Sequence, residues 1–256
     1  MHFESRLHFL AAPVRRLMKP MLGRSLIAFA LLVLIAASIG MAVAAVERSP
    51  AFLTQPSARA YLVEPVLALV AYACAVVVIV MRRGAAWEAE LKSAAVFGGV
   101  AGLIEIVNIA IENGIPFAVQ GPQLQITAML ILFAVWGMAG AWTTRELGTI
   151  RSGMLASVLS AGVSMVIGVT AGFALQFFIA PPQPGYVATW AEFKRSGWSD
   201  AGAFGIANTL DSGFNHLVIA PMVGIAVGSL GAWIGRFSLS RRDAARRAGD
   251  AGKFKR

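Results

Sequence analysis

Apolar positions run through the chain in six blocks, roughly 25–46, 62–81, 93–112, 124–142, 153–179 and 216–235. A helix needs about 20 mostly apolar residues to cross the roughly 30 Å hydrocarbon core of a bilayer. Each block reaches about that length, and every Lys and Arg falls outside the blocks. The pattern predicts an all-α, polytopic membrane bundle of six transmembrane helices. A basic amphipathic arm (1–24) precedes the transmembrane domain (25–236), whose longest connection is 180–214, and a basic tail (237–256) follows it.

Composition agrees with this reading. Of the residues, 57% are hydrophobic and 14% charged, against about 25% charged in an ordinary soluble domain. One core cannot hide that much apolar surface, so the excess must face lipid. The net charge of +9 is ordered by topology. With the N-terminus inside, the arm, the two short inner loops (Arg82, Arg83, Lys92; Arg145, Arg151) and the tail carry the basic residues. Only Arg48, Arg59, Lys194 and Arg195 fall on the other side. The bias of Lys and Arg toward cytoplasmic loops then places both termini in the cytoplasm. A bacterial-type inner membrane is the expected location, from the Ala/Arg-rich composition and the missing targeting peptide. Ala42-Val43-Ala44 resembles a signal-peptide cleavage site, but residues 1–24 precede an apolar stretch too long for a signal, so the first helix is expected to be retained.

In the arm, Phe3, Leu7, Leu10, Val14, Leu17 and Met21 recur at three- and four-residue spacing among basic residues. That is the pattern of a helix lying on a membrane surface, with breaks expected at Pro13 and Pro20, or of a solvated, partly helical arm. The tail is expected to contact anionic lipid headgroups, at roughly 1 kcal/mol per basic residue. Nothing in it resembles a folded nucleic-acid reader. Cys74 is the lone cysteine, so disulfides and Cys-based metal sites are excluded.

An internal repeat is visible. Gly137-Met-Ala-Gly-Ala-Trp-Thr-Thr-Arg145 and Gly228-Ser-Leu-Gly-Ala-Trp-Ile-Gly-Arg236 share Gly-x-x-Gly-Ala-Trp-x-x-Arg at the ends of spans 4 and 6. Lys92-Ser93 and Arg151-Ser152 open spans 3 and 5 alike, and Arg24-Ser25 opens span 1. This predicts tandem helical hairpins, the last two most alike. Small residues line one face of span 5 (Gly153, Ser157, Ala161, Ser164, Gly168, Gly172) and of span 6 (Gly224, Gly228, Gly231, Gly235). Such stripes let backbones approach closely, which serves packing within the bundle or against a second copy or a partner protein.

Candidate chemistry centres on span 3. Glu105 lies near the bilayer midplane, with Asn108 and Glu112 on the same helical face. A carboxylate there costs at least about 2.5 kcal/mol and should point into the bundle. It either bonds as a protonated acid to a Ser or Thr of span 5, or forms a substrate, proton or cation site. Further polar groups gather at the outer ends: Glu64 before Pro65, Gln176, and Asn215-His216. Glu64 and Asn215 are also placed to cap their own helices. His216 with two Glu lacks any short metal-ligand spacing, so no metal or cofactor is expected. The aromatics of 180–214 (Tyr186, Trp190, Phe193, Trp198, Phe204) predict a helix in the outer interface, or a lid.

Enzyme motifs are missing: no His-Glu-x-x-His, no Walker A loop, no Gly-x-Ser-x-Gly. Ser164 with His216 resembles the serine–histidine pair of rhomboid proteases in residue type only. That family has glycine where this chain has Met165, and another helix between the catalytic two. Two functional expectations result. One is a small permease or ion-coupled transporter using Glu105, Asn108 and Glu112. The other is a non-catalytic membrane protein assembling through its glycine faces. A glycine stripe exposed on span 6 would favour assembly, and a polar cavity at Glu105 would favour transport.

Overall fold

The computed structural model describes the backbone of residues 4–82, 84–114 and 117–253, and the side chains of 23–82, 84–112 and 123–240. The described residues are almost wholly helical and include no strand. In order the helices are α1 (Glu4–Glu47), α2 (Pro50–Leu53), α3 (Ala58–Met81), α4 (Ala85–Gly114), α5 (Phe117–Leu147) and α6 (Ile150–Ala174). A π-helical turn (Leu175–Ile179) extends α6, and α7 (Pro184–Val187), α8 (Ala191–Ser196) and α9 (Ala201–Lys253) complete the chain. Six stretches are long and apolar enough to span a bilayer: Gly23–Glu47, Ala58–Met81, Ala85–Glu112, Gln123–Leu147, Ile150–Ile179 and Ala201–Ser240. The chain is an all-α, multi-pass membrane bundle.

Several boundaries differ from expectation, each for a local reason. The break expected at Pro13 and Pro20 is absent. Helix α1 is continuous through both, because each proline removes one backbone donor while the rest of the ladder holds. The side chains of the arm before Gly23 and of the tail after Ser240, where surface and headgroup contacts were expected, lie outside the described residues. Glu64 does not cap the second span. Helix α3 starts at Ala58, leaving Pro65 inside the helix and buried. Its first turns are drawn in by packing of Ala58 and of Tyr61, whose ring meets Trp198 at 6.0 Å. Asn215 does not cap the sixth span either, because α9 already begins at Ala201. There a buried stripe of Ala203, Ala207, Leu210 and Leu217 sustains the helical period. The long connection is thus 180–200, with α7 and α8 inside it. Its Trp198 is buried with Phe52 and Phe204 rather than anchored at a lipid interface.

Helices α4, α5, α6 and α9 make the central bundle, and the α1–α3 hairpin lies along α6 and α9. Two polar contacts fix the hairpin. The Ser38 and Thr170 hydroxyls lie 2.8 Å apart across α1 and α6. Tyr72 of α3 donates to the Leu217 carbonyl of α9 at 2.8 Å. That carbonyl needs an outside donor: its helical partner four residues on is Pro221, which has no N–H.

The repeat is built into the packing. At one end of the bundle α5 and α9 cross on their shared motif. A Cβ on Gly231 would overlap the Gly137 carbonyl, and one on Gly140 would lie 2.9 Å from the Gly228 carbonyl. The motif arginines are exchanged as well. Arg145 Nε donates to Ser238 of α9 at 2.8 Å, and Arg236 Nη1 donates to the Gly148 carbonyl beyond α5 at 2.5 Å. Each hairpin therefore grips the other in the same way. The α1–α3 hairpin has no such crossing, since Gly23 and Gly40 have open space beside them.

The span-6 glycines are all consumed by this internal packing. Gly224 faces Ala161 and Val158, Gly228 faces Ser157, and Gly235 faces Ala141. We call this the basic end, because Arg24, Arg82, Arg145, Arg151 and Arg236 lie at or just beyond the ends of the membrane-crossing stretches there. Arg24 pairs with Glu88 at 2.8 Å and donates to the Arg82 carbonyl at 3.3 Å.

Candidate functional site

Helices α5, α6 and α9 close on glycine at the basic end, and with α4 they part toward the other end. Between them lies a cavity of about 510 Å³. Helix α4 contributes Glu105, Asn108 and Glu112, which the helical period places on one face. Asn108 donates to Glu112 at 3.0 Å.

Glu105 is the deepest of the three and only 8% exposed. Its side chain passes over Gly168 of α6, where an added Cβ would stand 2.6 Å from Glu105 Cγ. Gly168 is thus the seat of the carboxylate as well as a packing residue. Gly172, one turn on, meets only Ile109 at an ordinary 3.7 Å. No hydrogen bond reaches the Glu105 carboxyl group from the described residues, so the expected bond to a Ser or Thr of α6 is not formed. Ser164 instead accepts from the Trp136 indole at 3.1 Å and donates to the Ala161 carbonyl at 2.8 Å. Those contacts hold it away from any pairing with His216.

Opposite α4, helix α9 presents Asn208, Ser212, Asn215 and His216 to the cavity at helical spacing. His216 Nδ1 donates to the Ser212 carbonyl at 2.7 Å. Asn215, expected as a cap, donates to Asp211 within the helix at 3.1 Å. Among the described residues, His216 and Glu112 are the titratable groups that share the cavity with Glu105. Glu105, Glu112 and His216 do not converge closely enough to ligate one metal ion. The walls between the polar stripes are apolar and aromatic: Phe133 and Trp136 of α5, 5.6 Å apart, with Phe173 of α6. Trp190 from the 180–200 connection reaches the same cavity.

Of the expected site residues, Glu105, Asn108, Glu112 and His216 are brought together, with Gln176 beside them. Glu64 is not: it sits exposed on α3, away from the cavity. Asn208, Ser212 and Trp136 were not singled out from sequence. The first two fall in what the apolar blocks left as a loop, although their spacing to Asn215 is helical.

Comparison with protein-family models, curated proteins and solved structures gives no match. The functional reading therefore rests on the cavity.

Proposed function

We propose that the chain is a small permease or ion-coupled transporter of a bacterial-type inner membrane, with both termini cytoplasmic and Glu105 at its binding site. One observation carries the reading. A carboxylate within a membrane span, 8% exposed and without a hydrogen bond from the described residues, borders a cavity lined by polar side chains of two facing helices. A group that costs at least about 2.5 kcal/mol to hold there is retained where it meets a ligand, a proton or water. The cavity runs away from the basic end, which the distribution of Lys and Arg assigns to the cytoplasm, so it faces outward. Assembly through the span-6 glycines is disfavoured, because Gly224, Gly228, Gly231 and Gly235 already have partners inside the chain.

The test compares purified wild type with Glu105→Gln by thermal stability across pH, inorganic ions and small solutes. We expect at least one condition to stabilise the wild type and not the variant, and that condition then defines the flux assay in liposomes. If no condition separates the two proteins, the reading is wrong and a partner protein should be sought.

A further inference from the structure

The charges and rings around Glu105 narrow the ligand. The cavity is lined by two carboxylates, Glu105 and Glu112, by one imidazole, and by no Lys or Arg among the described residues. An anion entering it would meet like charge and no cationic partner. A cation would meet Glu105, which already bears its desolvation cost and which no described donor satisfies.

The aromatic wall lies close to that carboxylate. Trp136 is tied to Ser164, and Glu105 crosses Gly168, one turn further along the same helix. One helical turn is about 5.4 Å of rise, so carboxylate and ring pair lie within the span of one small molecule. A negative charge beside an aromatic wall suits a cation with an apolar body, because the π-systems of the rings attract positive charge and the body fills apolar wall. A bare divalent ion is a poorer fit, since the acidic groups and His216 do not converge on one point.

We infer that the cavity binds an organic ammonium ion, a protonated amine or quaternary ammonium with an apolar or aromatic body, held by Glu105 against the Phe133–Trp136 wall. This deepens the proposed function and rests on the cavity being a ligand site.

The test uses 2-phenylethylammonium as probe, with 2-phenylethanol and phenylacetate as its neutral and anionic counterparts. Thermal shift and equilibrium binding are measured on the full chain in detergent. The ammonium should stabilise the wild type, with the alcohol and the carboxylate at least tenfold weaker. Glu105→Gln should weaken ammonium binding at least tenfold. Gly168→Ala pushes the Glu105 side chain off its seat and should weaken it too, whereas Gly99→Ala, on the same helix as Glu105 but outside the cavity and in open space, should not, which separates an effect at the site from a general loss of folding. Equal binding of all three probes, or of the ammonium to wild type and Glu105→Gln, overturns the inference. A response to pH or Na⁺ that depends on Glu105, with no response to the ammonium, overturns it as well but leaves the site standing. If nothing tested distinguishes Glu105→Gln from wild type, both this inference and the proposed function fall.

Discussion

The central bundle behaves oppositely at its two ends. At the basic end α5, α6 and α9 touch backbone to backbone on Gly137, Gly140, Gly153, Gly228 and Gly231. Toward the other end α4, α5, α6 and α9 bracket a cavity of about 510 Å³. Pro221 divides α9 between the two regimes: Asn208 to His216 face the cavity before it, and Gly224 to Gly235 form the seam after it. Residue size explains the difference. Where glycine lines the contact, helices approach until backbones meet. Where Trp136, Phe173 and Glu105 line it, side chains hold the helices apart. If the chain transports as proposed, the closed half is the gate.

The seam is where a single substitution does most damage. Gly231→Leu drives a side chain into the Gly137 carbonyl, and backbone has no rotamer with which to yield. We expect a loss at the top of, or beyond, the roughly 1–3 kcal/mol that overpacking ordinarily costs, read as a large fall in melting temperature or as loss of monodisperse protein on size exclusion. Gly99→Ala is the control. No atom lies within 4 Å of its Cβ position, so stability should hold or rise slightly as the helix gains a better former. Equal damage from both would mean that the seam is no tighter than the rest of the bundle.

The seam was more legible in the sequence than the cavity. The Gly-x-x-Gly-Ala-Trp-x-x-Arg repeat marks the α5–α9 crossing because close packing demands one residue type at fixed spacing. Glu105, Asn108 and Glu112 were legible for a different reason: carboxylates inside an apolar block are expensive, and their period puts them on one face. Their counterparts on α9 were not legible. Polarity in Asn208 and Ser212 reads as loop until tertiary packing of Ala203, Ala207 and Leu210 makes the segment helical. Gly168 and Gly172 look alike in sequence, and only the neighbouring helix shows that one seats Glu105 while the other makes an ordinary contact. Glu64 misled through Pro65, whose usual place at a helix start was overridden by the aromatic packing that begins α3 at Ala58.

A smaller effect is expected where the two regimes join. Tyr72 supplies the hydrogen bond that Pro221 denies to the Leu217 carbonyl. Tyr72→Phe keeps the ring and leaves that carbonyl without a donor in an apolar setting, which should cost about 1–3 kcal/mol. Thermal unfolding in detergent measures it. A loss well below 1 kcal/mol would show that the carbonyl finds another donor, and Pro221 would then be no weak point between the halves.

The smallest effect is the most informative about the seam. Thr144 and Ser157 are fully buried there, against Gly153 and Gly228, and their hydroxyl oxygens have no hydrogen-bond partner among the described residues. A small residue is needed at such contacts, but alanine would serve as well at lower cost, since an unpaired buried hydroxyl is a penalty. Ser157→Ala should therefore leave stability within about 0.5 kcal/mol of wild type or raise it. Ser38→Ala, which removes a hydroxyl bonded to Thr170, should cost about 0.6 kcal/mol. If Ser157→Ala proves the costlier of the two, its hydroxyl has a partner and the seam is held by polar contacts. If it is neutral for stability yet slows flux, the hydroxyl serves a state in which the seam is open and wet, and the closed end of the bundle is the second half of the path.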